Sequence, residues 1–237
     1  MSPPSLILTA HGSADPRAAV NTRAVADEIR RQRPLLDVRV AFCEQSTPNL
    51  RDVVADVGAQ SVVTPLLLAD AYHARVDIPA MIAESGAAQA DVLGEDERLV
   101  SVLRQRVREL GISRRDPDVG VAVVAVGSSR PHANARTQAV APALAAGTRW
   151  AGAVTAFATG PRHSLDDATV HLQAMGARRL VIAPWFLAHG RITDRVAEYA
   201  TVHGLSMAQP LGVHRLVAET VLDRFARAHA EANRLAA

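Results

Sequence analysis

Three side chains that can ligate a metal ion or accept a proton each lie shortly after an apolar segment. His11 follows LILTA, Glu44 follows VAFC, and His73 follows SVVTPLLL and a short loop. Two imidazoles and one carboxylate suit a borderline divalent ion such as iron, cobalt, nickel or zinc, and they can also take protons near neutral pH. Taken singly, each residue equally fits an ordinary polar turn, helix start or surface loop. The three side chains can form one site only if the fold brings them together.

The surrounding pattern predicts that it does, because apolar segments of strand length alternate with amphipathic segments of helix length. This alternation indicates right-handed βαβ units and a parallel sheet, whose strands all end at the same edge. Asp15 before Pro16 reads as a helix N-cap, and Ser46 or Thr47 with Pro48 is expected to start the next helix. The predicted strands are 6–8, 36–43, 61–68 and 90–93, the predicted helices 16–33, 77–85 and 95–110, and the predicted loop 69–79.

The second half of the chain repeats the first. AVVAVGSSRP at 122–131 lies over LILTAHGSAD at an offset of 115, and APWFLA at 183–188 lies over TPLLLA at an offset of 119. The sequence therefore predicts an α/β fold of two tandem flavodoxin-like lobes, each a parallel sheet flanked by helices, with a cleft between them. The predicted lobes are 1–111 and 120–237, joined by a polar linker.

The repeat also serves as an internal control on the three candidate residues. At the positions that match His11, Glu44 and His73, the second half carries Val126, Thr159 and Ile192. A purely structural requirement would be expected to keep at least one of the three in both halves. This asymmetry predicts one site per chain, located in the N-terminal half.

Composition excludes several classes of protein. Of the 237 residues, 49% are hydrophobic and only 3% aromatic, and the net charge is +2, so neither disorder nor nucleic-acid binding is expected. The N-terminal apolar stretch is too short for a signal peptide or a membrane span. A single cysteine, Cys43, allows no internal disulfide, which favours a cytoplasmic location. Because the duplication supplies both walls of a cleft, we expect a monomer.

Three motifs resemble those of a known family. AHGSADPR, AFCEQSTPNL and PLLLADAYHARVDIP, the last with His73, Asp77 and Pro79, are similar to the motifs of the sirohydrochlorin chelatases, which insert iron or cobalt into a tetrapyrrole without ATP. The resemblance implies a two-lobed chelatase whose cleft takes the macrocycle, and it implies that His11, Glu44 and His73 are its metal-binding and catalytic residues. The divalent metal, Fe²⁺ or Co²⁺, is then a substrate, and no permanently bound cofactor is implied.

A carboxylate-rich macrocycle needs cationic partners on the protein. The candidates, each of which also fits a solvated loop arginine, are Arg17, Arg75, Arg130, Arg162 and Arg191. His132, His163 and His189 lie near the same predicted edge and could assist. Strand alternation predicts that Cys43 is a buried core thiol rather than a metal ligand.

The main alternative to a chelatase is a protein that binds a metal or a tetrapyrrole without turnover. The sequence does not distinguish iron from cobalt as the metal. A phosphate-binding lobe would need a glycine-rich cradle that HGSADPR does not provide. A histidine phosphatase would be expected to have arginine before His-Gly, where this chain has Ala10.

Overall fold

A computed structural model of the chain describes residues 4–159 and 164–235. The first four strands are β1 Ser5–Ala10, β2 Val38–Phe42, β3 Ser61–Pro65 and β4 Ala88–Gln89. They form a parallel sheet in the order β2-β1-β3-β4. The predicted strand 90–93 is wrong, because the fourth strand pairs with β3 through residues 88 and 89. Leu6, Ile7 and Leu8 in the centre of β1 are fully buried, as expected for a parallel sheet that is covered on both faces. The carboxyl ends of β1, β2 and β3 therefore share one edge.

The first helices follow the predicted pattern with one correction. The helices are α1 Pro16–Gln32, α2 Leu50–Val57, α3 Ile78–Ile82 and α4 Glu97–Glu109. The side chain of Asp15 accepts a hydrogen bond from the Arg17 amide, so the predicted cap of α1 is confirmed. The expected start of α2 near Ser46 is wrong, because Asn49 caps that helix. Residues 44–48 instead hydrogen-bond to the segment after β1 and back to the end of β2.

The segment predicted as a loop contains a π-helical turn. This turn spans His73–Asp77 and leads directly into α3, where the amide of Ile78 donates a hydrogen bond to the carbonyl of His73. Wide helical turns of this kind are rare and often found at functional sites. His73 thus sits on a defined backbone that starts a helix.

The second half repeats the topology of the first. Its parallel sheet has the order β6-β5-β7-β8. The strands are β5 Val119–Ala125, β6 Gly152–Phe157, β7 Arg179–Pro184 and β8 Ser206–Met207, and the helices are α5 Pro131–Gln138, α6 Val140–Ala145, α7 Leu165–Ala174, α8 Arg191–Val202 and α9 Arg215–Leu235. The predicted internal duplication therefore extends to strand order and strand direction. Throughout residues 4–159 and 164–235 we find no helix with both the length and the apolar character to cross a bilayer.

The chain divides into two compact units that differ from the predicted lobes in one respect. The first unit comprises Met1–Gly94 and Val213–Ala237, and the second comprises Glu95–Gly212. Helix α4 packs on β7 and α6 of the second unit, whereas α9 packs on α1, β3 and β4 of the first. Each unit therefore takes its last helix from the other half of the sequence. Strand and helix patterns predict elements, but they do not say which sheet a terminal helix covers.

Candidate functional site

His11 and Glu44 stand side by side at the ends of the two neighbouring strands β1 and β2. Backbone hydrogen bonds continue between the two segments past the ends of the strands, because the amide of Cys43 donates to the carbonyl of Ala10 at 3.1 Å and that of Glu44 to the carbonyl of His11 at 3.0 Å. This pairing brings the Nε2 atom of His11 to 3.2 Å from Oε1 of Glu44. The strand register thus places an imidazole against a carboxylate.

Gly12 makes this close approach possible. Its φ is +95°, a left-handed conformation that glycine adopts without strain. A Cβ atom at this position would lie 1.7 Å from the carbonyl oxygen of Glu44. On the far side of this contact, the Ser46 hydroxyl accepts from the Ser13 amide at 3.2 Å and donates to the Ser13 carbonyl at 3.1 Å. The two segments that carry His11 and Glu44 are therefore joined on either side of Gly12.

His73 completes the group from the π-helical turn. Its ring centroid lies 3.9 Å from that of His11, with the two planes at 47°. The side chains of His11 and His73 keep 36% and 40% of their surface exposed, so both can reach a ligand from solvent. The structure therefore brings together His11, Glu44 and His73, the three residues singled out from the sequence.

Asp77 is a fourth member that the sequence analysis named in a motif but did not assign to the site. Its Oδ2 atom lies 3.6 Å from Nε2 of His73, one helical turn away. The signal that could have identified it is the four-residue spacing of His73 and Asp77, which places both side chains on one helix face. Asp77 adds a second carboxylate to the rim of the group.

Burial and the neighbouring charges together set the pKa of His11. Burial of its ring lowers its pKa below 6.5, and the neighbouring His73 lowers it further, whereas Glu44 and Asp77 raise it. The net effect favours the neutral imidazole at neutral pH. A neutral imidazole is the form that binds a metal ion or accepts a proton.

A polar pocket of about 280 Å³ adjoins the group. Its walls come from the segment after β2, from α2, and from the π-helical turn with α3. The lining residues are Cys43, Glu44, Asn49, Arg51, His73, Asp77, Ala80 and Met81. Glu44, His73 and Asp77 thus face a space that is open to a small ligand.

Cys43 is half-buried. The sequence predicts a buried core thiol, and the side chain contacts both the core and the pocket. The side chain packs against the apolar cluster that includes Leu50, Val54 and Ile78, and it also lines the pocket beside Glu44. Burial, followed by the charges of Asp77 and Glu44, raises the pKa of the thiol to about 11. A thiol in this environment is protonated at neutral pH and is a poor nucleophile.

We therefore expect iodoacetamide to alkylate Cys43 slowly in the folded protein. With a pKa of about 11 instead of 9.0, the thiolate fraction at pH 8 falls roughly 100-fold. The rate, followed by mass spectrometry, should rise about tenfold per pH unit between pH 8 and 10 and should reach an ordinary value at pH 8 in urea. Equal rates at pH 8 in the folded and unfolded chain would contradict this environment.

The group is not a closed metal cage. Among the residues that the structure describes, no three or more His, Cys, Asp and Glu side chains stand at the spacing of a preformed metal site. His11 Nε2 and Glu44 Oε1 face each other instead, and the side-chain amide of Gln45 donates to Oε1 of Glu44 at 2.9 Å. The group also lacks the thiolate ligands that would trap a divalent ion.

The second unit has the same framework without these side chains. The amide of Thr159 donates to the carbonyl of Val126 at 2.9 Å, as Glu44 does to His11, and Gly127 repeats the left-handed φ of Gly12 at +92°. Val126 and Thr159 are thus the structural counterparts of His11 and Glu44. In the second unit this edge offers neither an imidazole nor a carboxylate at those positions.

The two candidate arginines of the first half are already paired. Arg17 at the start of α1 lies 2.6 Å from Asp15, measured between Nη2 and Oδ2. Arg75 in the π-helical turn donates from Nε to Asp70 at 2.6 Å. Both guanidinium groups remain about half exposed or more, so each can add a ligand carboxylate to its present partner.

The candidates of the second half lie at helix starts. Arg130 precedes α5 and Arg191 begins α8, and both side chains are exposed. His132 lies in the first turn of α5, and Nε2 of His189 lies 2.9 Å from the side-chain oxygen of Gln209. The remaining candidates, Arg162 and His163, lie outside the described residues.

Comparison with protein-family models identifies the family. The model CbiX matches residues 5–110 and, a second time, residues 120–228. The chain belongs to the CbiX family. Because each half matches the model separately, this CbiX chain contains two copies of the family domain in tandem. The resemblance drawn from the three motifs is thereby confirmed.

Individual relatives agree with this assignment. The CbiX chain is 28% identical over 217 residues to a sirohydrochlorin cobaltochelatase of Priestia megaterium, covering 84% of this chain and 70% of the relative. It is 23% identical over 205 residues to a sirohydrochlorin ferrochelatase of the same organism, covering 82% and 77%. SirB from Bacillus subtilis, solved with Fe³⁺, superposes with a TM-score of 0.83 at 19% identity, covering 97% of this chain and 96% of that chain. The predicted chelatase fold is confirmed.

Proposed function

We propose that this protein is a chelatase that inserts a divalent metal ion, Fe²⁺ or Co²⁺, into sirohydrochlorin. Its family and its two chelatase relatives support this reaction class. The observation that carries the proposal is the meeting of His11, Glu44 and His73 in one unit, while the same positions of the other unit are apolar or neutral. The metal ion is a substrate that the site receives and releases.

His11 and His73 are the proposed metal ligands. Both rings are partly exposed and in contact, so one divalent ion could be bound by a nitrogen from each. Burial and the neighbouring His73 lower the pKa of His11, which reduces proton competition for its nitrogen. Two neutral imidazoles bind iron and cobalt well enough to orient the ion, and less tightly than a thiolate site would.

Glu44 is the proposed proton acceptor. Insertion of a metal ion into the ring releases two pyrrole N–H protons, which need bases at the site. The carboxylate of Glu44 is 54% exposed and 3.2 Å from His11, so it can accept a proton and pass it to solvent or to the imidazole. Asp77 beside His73 adds negative charge that favours a cation at the group.

Exposed arginines are the proposed partners of the substrate carboxylates, and Arg130 gives the clearest test. It has no ion-pair partner in the part of the chain that the structure describes, unlike Arg17 and Arg75. We expect Arg130→Ala to raise the KM for sirohydrochlorin about 3- to 10-fold with kcat nearly unchanged, because a charge-assisted hydrogen bond contributes about 1 kcal/mol or more.

The matched control for this variant is Arg33→Ala, at the opposite end of α1 from the site. Steady-state kinetics at low and high salt should show a KM difference for Arg130→Ala that shrinks as salt increases. An unchanged KM in Arg130→Ala, or an equal rise in Arg33→Ala, would remove Arg130 from the substrate-binding surface.

The proposed function is tested by anaerobic absorbance spectroscopy of sirohydrochlorin with Fe²⁺ or Co²⁺. We expect the purified protein to accelerate the spectral change of metal insertion well above the rate without protein. The faster metal indicates the preferred substrate. Tight macrocycle binding without acceleration for either ion would contradict the enzyme and would favour a metal or tetrapyrrole carrier.

Two further expectations complete the proposal. We propose that the protein acts as a monomer, because the duplicated chain already carries two family domains. We also propose that it needs no permanently bound cofactor, since the metal ion is a substrate. Light scattering of the purified protein should give a mass near 25.2 kDa. The cytoplasmic location stays a prediction that rests on the single cysteine.

A further inference from the structure

Thr9 lies near the end of β1, two residues before His11. Side chains alternate along a strand, so Ile7 and Thr9 point to the same face of β1. Ile7 packs in the apolar cluster with residues of α2 and α3, which identifies that face. Thr9 is 0% exposed. A hydroxyl is therefore buried two residues before the imidazole, where the strand ends.

At this end of β1, two buried polar atoms have no hydrogen-bond partner among residues 4–159 and 164–235. They are Oγ1 of Thr9 and Nδ1 of His11. A buried polar group without a partner is costly, and natural proteins seldom keep one unless it serves a purpose. The two atoms lie two residues apart in the chain, and each lacks the partner that the other could supply.

The second unit shows that the sheet itself does not need the hydroxyl. The position that matches Thr9 is Val124, which has the same shape and is also fully buried. Thr9 is flanked by Ala41 and Pro65, and Val124 is flanked by Ala156 and Pro184. The surroundings are matched, and the hydroxyl is present only in the unit that has the imidazole.

We propose that Thr9 is a positioning residue whose hydroxyl is the hydrogen-bond partner of Nδ1 of His11. This inference rests on the proposed function, in which Nε2 of His11 binds the metal ion. When Nε2 carries a proton toward Glu44, Nδ1 has a lone pair and the Thr9 hydroxyl donates to it. When Nε2 binds a metal ion, the one proton of the neutral ring is on Nδ1. The Nδ1–H group then donates a hydrogen bond to the oxygen of the Thr9 hydroxyl.

A hydroxyl suits this position because it can both donate and accept, whereas a carboxylate only accepts and an ammonium only donates. Partners of the second ring nitrogen fix the orientation of a metal-binding histidine and increase its affinity. Thr9 would thus keep Nε2 of His11 directed at the ion throughout metal uptake and release.

The test compares Thr9→Val with Thr64→Val. Thr64 is the matched control, since it is also 0% exposed with an unpartnered Oγ1, but it neighbours Leu8 and points to the other face of the sheet. Calorimetric titration with Co²⁺ alone should show about 10-fold weaker binding by Thr9→Val and unchanged binding by Thr64→Val. Thr9→Ser, which keeps the hydroxyl, should bind like the wild type.

A second readout reports on the hydrogen bond itself. In Zn²⁺-loaded protein labelled with ¹⁵N-histidine, the Nδ1–H proton of His11 should be protected from exchange in the wild type, in Thr64→Val and in Thr9→Ser. This protected signal should be lost in Thr9→Val, whose thermal midpoint should fall by roughly a few degrees because Nδ1 of His11 is then buried without a partner. Wild-type Co²⁺ affinity in Thr9→Val, or an unchanged Nδ1–H signal, would overturn the proposal.

These measurements use the metal ion without the macrocycle. They are therefore independent of the insertion assay. If the wild type fails to insert a metal while Thr9→Val still weakens Co²⁺ binding and loses the Nδ1–H signal, the proposed function fails and the role of Thr9 stands.

Discussion

His11→Ala is expected to lower the rate of metal insertion into sirohydrochlorin at least about 100-fold. The variant removes a proposed metal ligand and also the partner of the Glu44 carboxylate, which lies 3.2 Å from the imidazole. It further exposes one face of His73, whose ring centroid is 3.9 Å away. Anaerobic absorbance spectroscopy under saturating macrocycle measures the effect on turnover separately from substrate binding.

His171→Ala is the matched control, because it removes an exposed imidazole from α7 in the second unit. Its insertion rate should equal that of the wild type. The macrocycle affinity of His11→Ala should change little, since the proposed role of this residue is toward the ion. A His11→Ala variant that keeps half or more of the wild-type rate would remove His11 from the reaction.

Gly12→Ala is expected to have the largest effect on stability. Its φ of +95° strains any L side chain, which costs about 1–3 kcal/mol. In addition, the new Cβ would lie 1.7 Å from the Glu44 carbonyl oxygen, a backbone atom that accepts a hydrogen bond from the Ser46 amide. We expect a total loss of about 3 kcal/mol or more, with the thermal midpoint falling by roughly 6–12 °C.

Gly58→Ala separates conformational strain from the clash. Gly58 also has a left-handed φ, at +79°, but a Cβ there meets nothing within 4 Å. Its substitution should therefore destabilise the protein less than Gly12→Ala, and it should leave Co²⁺ affinity unchanged. Gly12→Ala should weaken Co²⁺ binding, because separating the two segments moves Glu44 away from His11. Equal losses of stability in the two variants would contradict the importance of this contact.

Strand ends were the part of the site that the sequence could predict. Buried strands and a helix after each one imply a parallel sheet, and a parallel sheet brings the residues after its strands to one edge. Strand order and direction alone are enough to predict that His11 and Glu44 lie close together, and the structure places them 3.2 Å apart. The repeat then predicted which half would carry the site, from Val126 and Thr159 at the matching positions.

Features that depend on tertiary contacts escaped the sequence analysis. The π-helical turn at His73–Asp77 has no distinct periodicity over five residues, so the sequence pattern predicts a loop there. The cap of α2 moved to Asn49 because the preceding residues pair with the segment after β1, a contact distant in sequence. The exchange of α4 and α9 between the units likewise follows from packing on distant strands.

The duplication also shows how one half of a tandem fold can lose polar groups while it keeps its framework. Val124, Val126 and Thr159 occupy the backbone positions of Thr9, His11 and Glu44 with equivalent pairing. Each substitution replaces a hydroxyl, an imidazole or a carboxylate by a smaller or less polar side chain. The comparison therefore separates what the sheet requires from what the chemistry requires.

The most direct test of the central claim is an anomalous difference map, recorded at the cobalt absorption edge, from crystals soaked in Co²⁺. We predict one strong peak in the first unit, on the order of 2 Å from a nitrogen of both His11 and His73, with the Glu44 carboxylate turned toward it. A peak elsewhere in the molecule, with none at His11, would contradict the proposed metal site.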